Sequence, residues 1–138
     1  MERVIFACVH NAGRSQMAAA FLSEMADPSR VEAVSAGTQP GDRVHPEVIE
    51  AMREVGIDLS DRRPQQLTEA VAHSASLLVT MGCGDECPYV PGLQTDDWRL
   101  RDPANRPIAE VREIRAEIRE RVSALVAARG WQRRSSST

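Results

Sequence analysis

Lysine is absent from this chain: all 17 of its basic residues are arginines. Any site for an anion must therefore be built from guanidinium groups or backbone amides. No apolar run approaches the roughly 20 residues needed to cross a bilayer, so no membrane span is expected. The N-terminus has no charged region leading into a long apolar core, so no secretory signal is expected either. Cysteine is scarce. Three residues are an odd number for a disulfide framework, which predicts a cytoplasmic protein whose spaced cysteines serve catalysis or metal binding. A formal net charge of -3 argues against nucleic acid as a partner. Neither an internal repeat nor a linker is visible. The 138 residues are expected to form one monomeric domain over 1–130, with a disordered tail at 131–138.

What is present is an alternation of apolar runs and amphipathic stretches. "RVIFA" at 3–7 suits a buried parallel strand. Arg14 to Met25 reads as a helix with Met17, Phe21, Leu22 and Met25 on one face, stopped by "DPS". "VEAVSAG" is a second strand, and "HPEVIEAMREVG" a second helix with Pro46 in its first turn and Gly56 past its end. Residues 57–66 form a polar loop. "ASLLVTM" is a third buried strand, followed by a Gly/Pro-rich loop, and "QTDDWRL" contains a short fourth strand. Ile108 to Ala128 is the longest helix, with Val111, Ile114, Ile118, Val122 and Leu125 inward and Glu117 spaced to pair with Arg121. Alternating strands and helices imply a parallel sheet covered on both sides, with the strand C-termini along one edge. Ligands bind at that edge in open α/β sheets. Loops 8–14, 82–92 and 99–107 all leave it, and they carry the chain's candidate chemistry.

The stretch "CVHNAGRS" places Cys8 at the end of the first strand and Arg14 at the start of the first helix. A helix beginning there aims its unpaired amides and the positive end of its dipole back at the loop. A short loop curling around that end cradles a tetrahedral oxyanion, and Arg14 adds a planar clamp. The same field favours the thiolate of Cys8, a nucleophile to which Ser15 can donate its hydroxyl. Gly13 permits the sharp turn before the helix.

Cys83 and Cys87, with glycines flanking the first, suit a redox pair: residues four apart can come within disulfide range when the loop closes a turn. Half a zinc site completed by Cys8 and His10 is the other reading, and its spacing is uncommon for zinc. Asp102, fixed by Pro103, is either a general acid that protonates a leaving oxygen or a plain turn aspartate. His45 and His73 are expected to be solvated, and His10 to orient part of the loop without catalysing.

Taken together, "CVHNAGRSQMA", "SAG" at 35–37, "VTMGCGDECP" and "DWRLRDP" resemble the arsenate reductases built on the low-molecular-weight tyrosine phosphatase scaffold, nearly end to end and in order. The resemblance implies a three-layer, flavodoxin-like α/β fold: a four-stranded parallel sheet with helices on both faces. It implies an anion loop of Val9, His10, Asn11, Ala12, Gly13 and Ser15, with Asn11 and Ser15 supporting the Cys8 thiolate and Ser35 behind them. Arg14 holds arsenate, Asp102 acts as acid, and Cys83 then Cys87 relay the disulfide outward. No tightly bound cofactor is implied. The electrons come from thioredoxin, with a low-molecular-weight thiol such as mycothiol as the alternative; the cysteine pair favours thioredoxin.

The chain departs from the family at His10 and Gly13, where Gly and Cys are more usual, and in the close spacing of the cysteine pair. Some relatives bind potassium through a Glu where this chain has Ala19, so no metal is expected here. A phosphotyrosine phosphatase using the same loop is the rival enzyme. Gln16 standing where phosphatases carry Pro speaks against it, as do Ala104 and Asn105 where they carry aromatics. A mycothiol-dependent arsenate transferase is a second rival, and a non-enzymatic oxyanion-binding module a third.

Overall fold

The computed structural model of the chain describes residues 2–82 and 91–133. Its elements are β1 (Glu2–Cys8), α1 (Arg14–Met25), β2 (Val31–Gly37), α2 (Pro46–Arg53), α3 (Glu69–His73), β3 (Leu77–Thr80), β4 (Gln94–Asp97) and α4 (Ile108–Arg129). The four strands form one parallel sheet in the order β2-β1-β3-β4. β1 pairs with β2 from Glu2↔Val31 to Cys8↔Gly37, and with β3 from Val4↔Leu77 to Ala7↔Thr80. The chain leaves β1 toward β2 and later returns to β1's other side. The C-terminal end of β1, where Cys8 sits, is thus the point at which the strand order reverses.

Alternation along β1 divides the core. Val4, Phe6 and Cys8 join α1, α2 and α4 in the larger cluster, whereas Ile5 and Ala7 join Leu67 and Leu78 in a smaller one beside Val71 of α3. Helices therefore cover both faces, unequally. α1 is buried without interruption from Ser15 to Leu22, because sheet, α2 and α4 enclose it. Phe6 and Trp98 pack with ring centroids 5.7 Å apart, tying β1 to the segment after β4. β4 itself is exposed throughout and carries Asp96 and Asp97, charges that discourage further pairing at a sheet edge.

Several local expectations shift. The second helix ends at Arg53, two residues short of the end expected just before Gly56, and β3 is confined to Leu77–Thr80. The short α3 lies in a stretch that periodicity leaves unassigned, started by Thr68, whose side chain accepts from the Val71 amide. On α4 the inward row takes in Val126, which is buried, beside the partly buried Leu125 that also packs on the core. Glu117 lies 3.9 Å from Arg101, so its cationic neighbour comes from the β4–α4 loop rather than from Arg121.

The expected tail at 131–138 begins too early. Trp131 is buried and donates through Nε1 to Glu2 at 2.8 Å, Gln132 bridges to Ala26, and Arg133 bonds the carbonyls of Ser23 and Glu24. A large indole with a satisfied N–H anchors these residues, a signal outweighed in the sequence by the polar run behind it.

Candidate active site

The segment between β1 and α1 is turned inside out relative to an ordinary loop. The carbonyls of Cys8, Val9, His10 and Ala12 accept from the amides of Thr38, Gln39, Gly41 and His45 at 3.2, 2.8, 2.9 and 2.9 Å. The peptide plane is trans, so each N–H bonded to one of these carbonyl carbons points the opposite way. The amides of Val9, His10, Asn11 and Gly13 are thereby aimed inward. The first turn of α1 follows, and it has no side-chain cap over its free N–H groups. Cys8 lies at the floor of this arrangement, buried and unpaired.

A buried polar network fixes the loop from behind. Asn11 takes a left-handed conformation (φ 51°) that an amide side chain tolerates. Its Nδ2 donates to Ser15 Oγ at 2.7 Å, and its Oδ1 accepts from the Gln65 amide at 2.9 Å. Ser15 Oγ in turn stands 2.9 Å from Cys8 Sγ. Because the Ser15 oxygen accepts from Asn11, its own proton is free to point at the sulfur, the direction that stabilises a thiolate. Gln16 completes the set: its Nε2 donates to Asn11 O, Asn11 Oδ1 and Arg63 O at 3.1, 3.2 and 3.4 Å. Gly37 at the end of β2 makes this possible. A Cβ there would stand 2.6 Å from Val9 O and 2.9 Å from Asn11 N.

Arg14 leaves the first turn of α1 and is largely enclosed, with a side chain 11% exposed. Its Nη1 donates to Leu100 O at 3.1 Å, and its Nη2 lies 3.9 Å from Asp102 Oδ2. Asp102 accepts from the Ala104 amide at 3.0 Å in a turn closed by Arg106 on its carbonyl. Glu47, in the first turn of α2, holds the Asn105 amide at 3.2 Å and links that loop to the scaffold.

Cys8, Arg14, Ser15, Asn11 and Asp102 thus converge, with Val9, His10, Ala12 and Gly13 forming the loop itself. His10 is exposed and donates to Gln39 O at 3.0 Å, steadying the neighbouring strand exit. Gly13 forms the turn into the helix as expected, with φ −145° and ψ −91° at the N-cap. The structure adds a second constraint: a Cβ there would meet Pro103 Cγ at 2.8 Å. Ser35 pairs with Phe6 in the sheet, and its carbonyl accepts from Gln65. The expected redox pair Cys83 and Cys87 lies outside the described residues. Sequence reasoning used Gln16 and Gly37 only as motif positions without seeing that they support the loop, and it missed Glu47 and Gln65 altogether. A glutamine on an otherwise apolar helix face was the one available signal.

An α/β sheet with an amide cradle over a cysteine at its strand-order reversal, closed by an arginine, defines a class of oxyanion-handling proteins. The particular family follows from comparison: residues 3–134 match low molecular weight phosphotyrosine protein phosphatase, and the chain belongs to that family. It is 42% identical to a solved Corynebacterium glutamicum thioredoxin-dependent arsenate reductase, with a TM-score of 0.77 over 93% of this chain; it spans only 60% of that longer chain. An arsenate reductase of Staphylococcus aureus is 36% identical over 123 residues, 86% of this chain and 91% of the relative. A glutaredoxin arsenate reductase of Synechocystis is 33% identical over 130 residues, 92% and 98% of the two chains.

Proposed function

We propose that the protein reduces arsenate to arsenite by a cysteine relay, as part of arsenic detoxification. The observation that supports this most is the cradle of inward amides over buried Cys8, with Arg14 at its mouth, in a chain whose relatives are arsenate reductases. The cradle holds three arsenate oxygens, with Arg14 taking two of them in a planar fork. The Cys8 thiolate attacks arsenic, a sulfur–arsenic bond forms, and Asp102 gives its proton to the departing hydroxide, which leaves as water. Cys83 then attacks Cys8 Sγ. The sulfur–arsenic bond breaks, its electron pair stays on arsenic, and arsenite leaves behind a Cys8–Cys83 disulfide. Cys87 attacks Cys83, regenerating the Cys8 thiolate and producing Cys83–Cys87, which a dithiol reductant opens.

Thioredoxin is the reductant this reading favours, since the chain carries its own relay pair; mycothiol or another small thiol is the alternative. Nothing in the cycle needs a bound cofactor or metal. The phosphatase alternative loses ground at Gln16, whose side chain is committed to the loop network.

Single-turnover arsenate reduction with mass mapping of disulfides tests the scheme. Wild type is expected to yield Cys83–Cys87 and one arsenite per chain, and Cys87→Ser to trap Cys8–Cys83. Cys83→Ser should stall before arsenite release, and Cys8→Ser should be inert. A Cys8–Cys87 bond as the main trapped species would reverse the relay, and arsenite formation by Cys8→Ser would end the proposal.

A further inference from the structure

We propose that Gly82 is a positioning residue for the oxyanion clamp: the space left by its missing side chain is what seats the Arg14 guanidinium. The inference rests on the reading of Arg14 as that clamp and names a residue on which it depends. Gly82 follows β3 with φ +85°, and a Cβ built on it would stand 2.6 Å from Arg14 Nη1, 3.4 Å from its Cζ and 3.6 Å from Nη2. All three distances run to the guanidinium, so Gly82 lies against the working end of the arginine and not its stem. The same Nη1 is the atom that donates to Leu100 O at 3.1 Å, and Nη2 is the one facing Asp102. An added methyl group therefore collides with a nitrogen already in use.

Where the yield would occur is set by the chemistry of the two partners. Backbone at Gly82 is tied through the preceding Met81 amide, which donates to Ala7 O at 2.7 Å within the sheet. The guanidinium is the far end of a side chain with several rotatable bonds. It is the part that moves, and moving it costs the fold little while costing the anion a two-pronged donor. Gly82 also directly precedes Cys83 in the sequence. The residue that seats the clamp is thus bonded to the proposed first resolving thiol.

Gly92 supplies an internal control. It has nearly the same backbone angle (φ +84°), but a Cβ there meets nothing within 4 Å. Both Gly→Ala changes carry the left-handed penalty, and only one carries the collision. The test measures calorimetric affinity of the reduced full chain for inorganic phosphate, alongside melting. Gly82→Ala is expected to bind phosphate about tenfold or more weakly, as loss of charge-assisted hydrogen bonds implies. Its fall in Tm should match that of Gly92→Ala, whose affinity should stay within about twofold of wild type. Gly82→Asn, which tolerates the backbone angle yet keeps a Cβ, should show the same affinity loss and serves if the alanine variant folds poorly.

In an Arg14→Ala background, Gly82→Ala should change phosphate affinity no further, because no guanidinium remains to displace. The proposal is overturned by wild-type affinity in both Gly82 variants, by an equal loss in Gly92→Ala, or by an undiminished Gly82 effect without Arg14. Wild-type phosphate binding by Arg14→Ala alone would instead refute the clamp itself, and the role of Gly82 with it.

Discussion

Two loops at the same edge of the sheet meet at Arg14, and they are built in opposite ways. Residues 9–13 are pinned by their backbone: Asn11 is fully buried, Ala12 nearly so, and the carbonyls of Val9, His10 and Ala12, with that of Cys8 before them, are bonded outward. Residues 99–107 lie mostly at the surface, anchored by buried Pro103 and partly buried Leu100. Asp102 has a side chain 50% exposed, and its loop is tied by single contacts such as Glu47 to Asn105 and the pairing of Arg106 with Glu110. The contrast follows the work assigned to each. Donors that stabilise an oxyanion act well only when they need no reorganisation during reaction, which calls for an over-determined loop. A proton donor needs reach and an exchange route to water, and an exposed carboxyl has both.

Attacking each loop should therefore produce opposite phenotypes. Asp102→Asn is expected to slow formation of the thiol–arsenic adduct by about a hundredfold, while stability stays within about 0.5 kcal/mol of wild type. Stopped-flow measurement of the first step and denaturant melts check the two halves; a normal first step reduces Asp102 to a turn residue. Asn11→Ala should do the reverse in kind. It removes the donor to Ser15 and the acceptor for Gln65 and Gln16, and it places alanine at φ 51°. A loss of about 2–3 kcal/mol is expected from unsatisfied buried groups and the left-handed backbone. Asn11→Gly, which relieves only the backbone, should recover about 1 kcal/mol of it. Wild-type stability in both variants would show that the network does not hold the loop.

The same contrast explains what could be read in advance. Strand–helix alternation and the C-x5-R spacing announce the anion loop, because a nucleophile and its cradle must be contiguous to share a helix N-terminus. The supports were not legible. Gln65 and Gly37 reach Asn11 from segments distant in sequence, and nothing local in "RRPQQL" or "SAG" states which loop they will touch. Gly13 was legible as the turn before the helix, but its close approach to Pro103 was not, since Pro103 is 90 residues away. Trp131 was lost because a polar run hides a single anchoring indole. Burial partners are a tertiary fact, and periodicity carries only the direction of a face.

Beneath both loops, a carboxylate clamp between α2 and α4 offers a milder test. Glu54 caps the end of α2 and accepts from Arg112 at 2.6 and 2.9 Å and from Arg115 at 2.8 Å. Hydrogen bonds from Arg112 first, then Arg115, hold its pKa at about 2, below the ordinary 4.5. A carboxyl depressed on folding contributes stability that is complete above its unfolded pKa and lost as pH falls through the folded one. Stability should therefore decline between about pH 4.5 and 2. Glu54→Gln should flatten that decline and leave arsenate reduction at neutral pH unchanged. Denaturant melts across the acid range decide it: an unaltered slope in the variant would assign the acid sensitivity elsewhere.

The smallest expected effect is none at all, and it bears on the rigid loop. The family resemblance places a potassium site beside this loop where a glutamate is present, and this chain has Ala19 at that place, buried within α1. Three oxygens do converge behind the loop, Asn11 O, Asn11 Oδ1 and Arg63 O, and all three are engaged by Gln16 Nε2 at 3.1, 3.2 and 3.4 Å. An amide NH2 supplies the partial positive charge that these lone pairs require. A potassium ion entering among them would face two N–H donors and gain no carboxylate to balance its charge. Melting temperature and arsenate turnover should therefore be the same in potassium and sodium chloride at equal ionic strength. A specific ion at a hundred times its Kd would add about 2.7 kcal/mol, several degrees in a domain of this size. Selective stabilisation by potassium of that order would mean that Gln16 gives way and the oxygens rebuild a cation site.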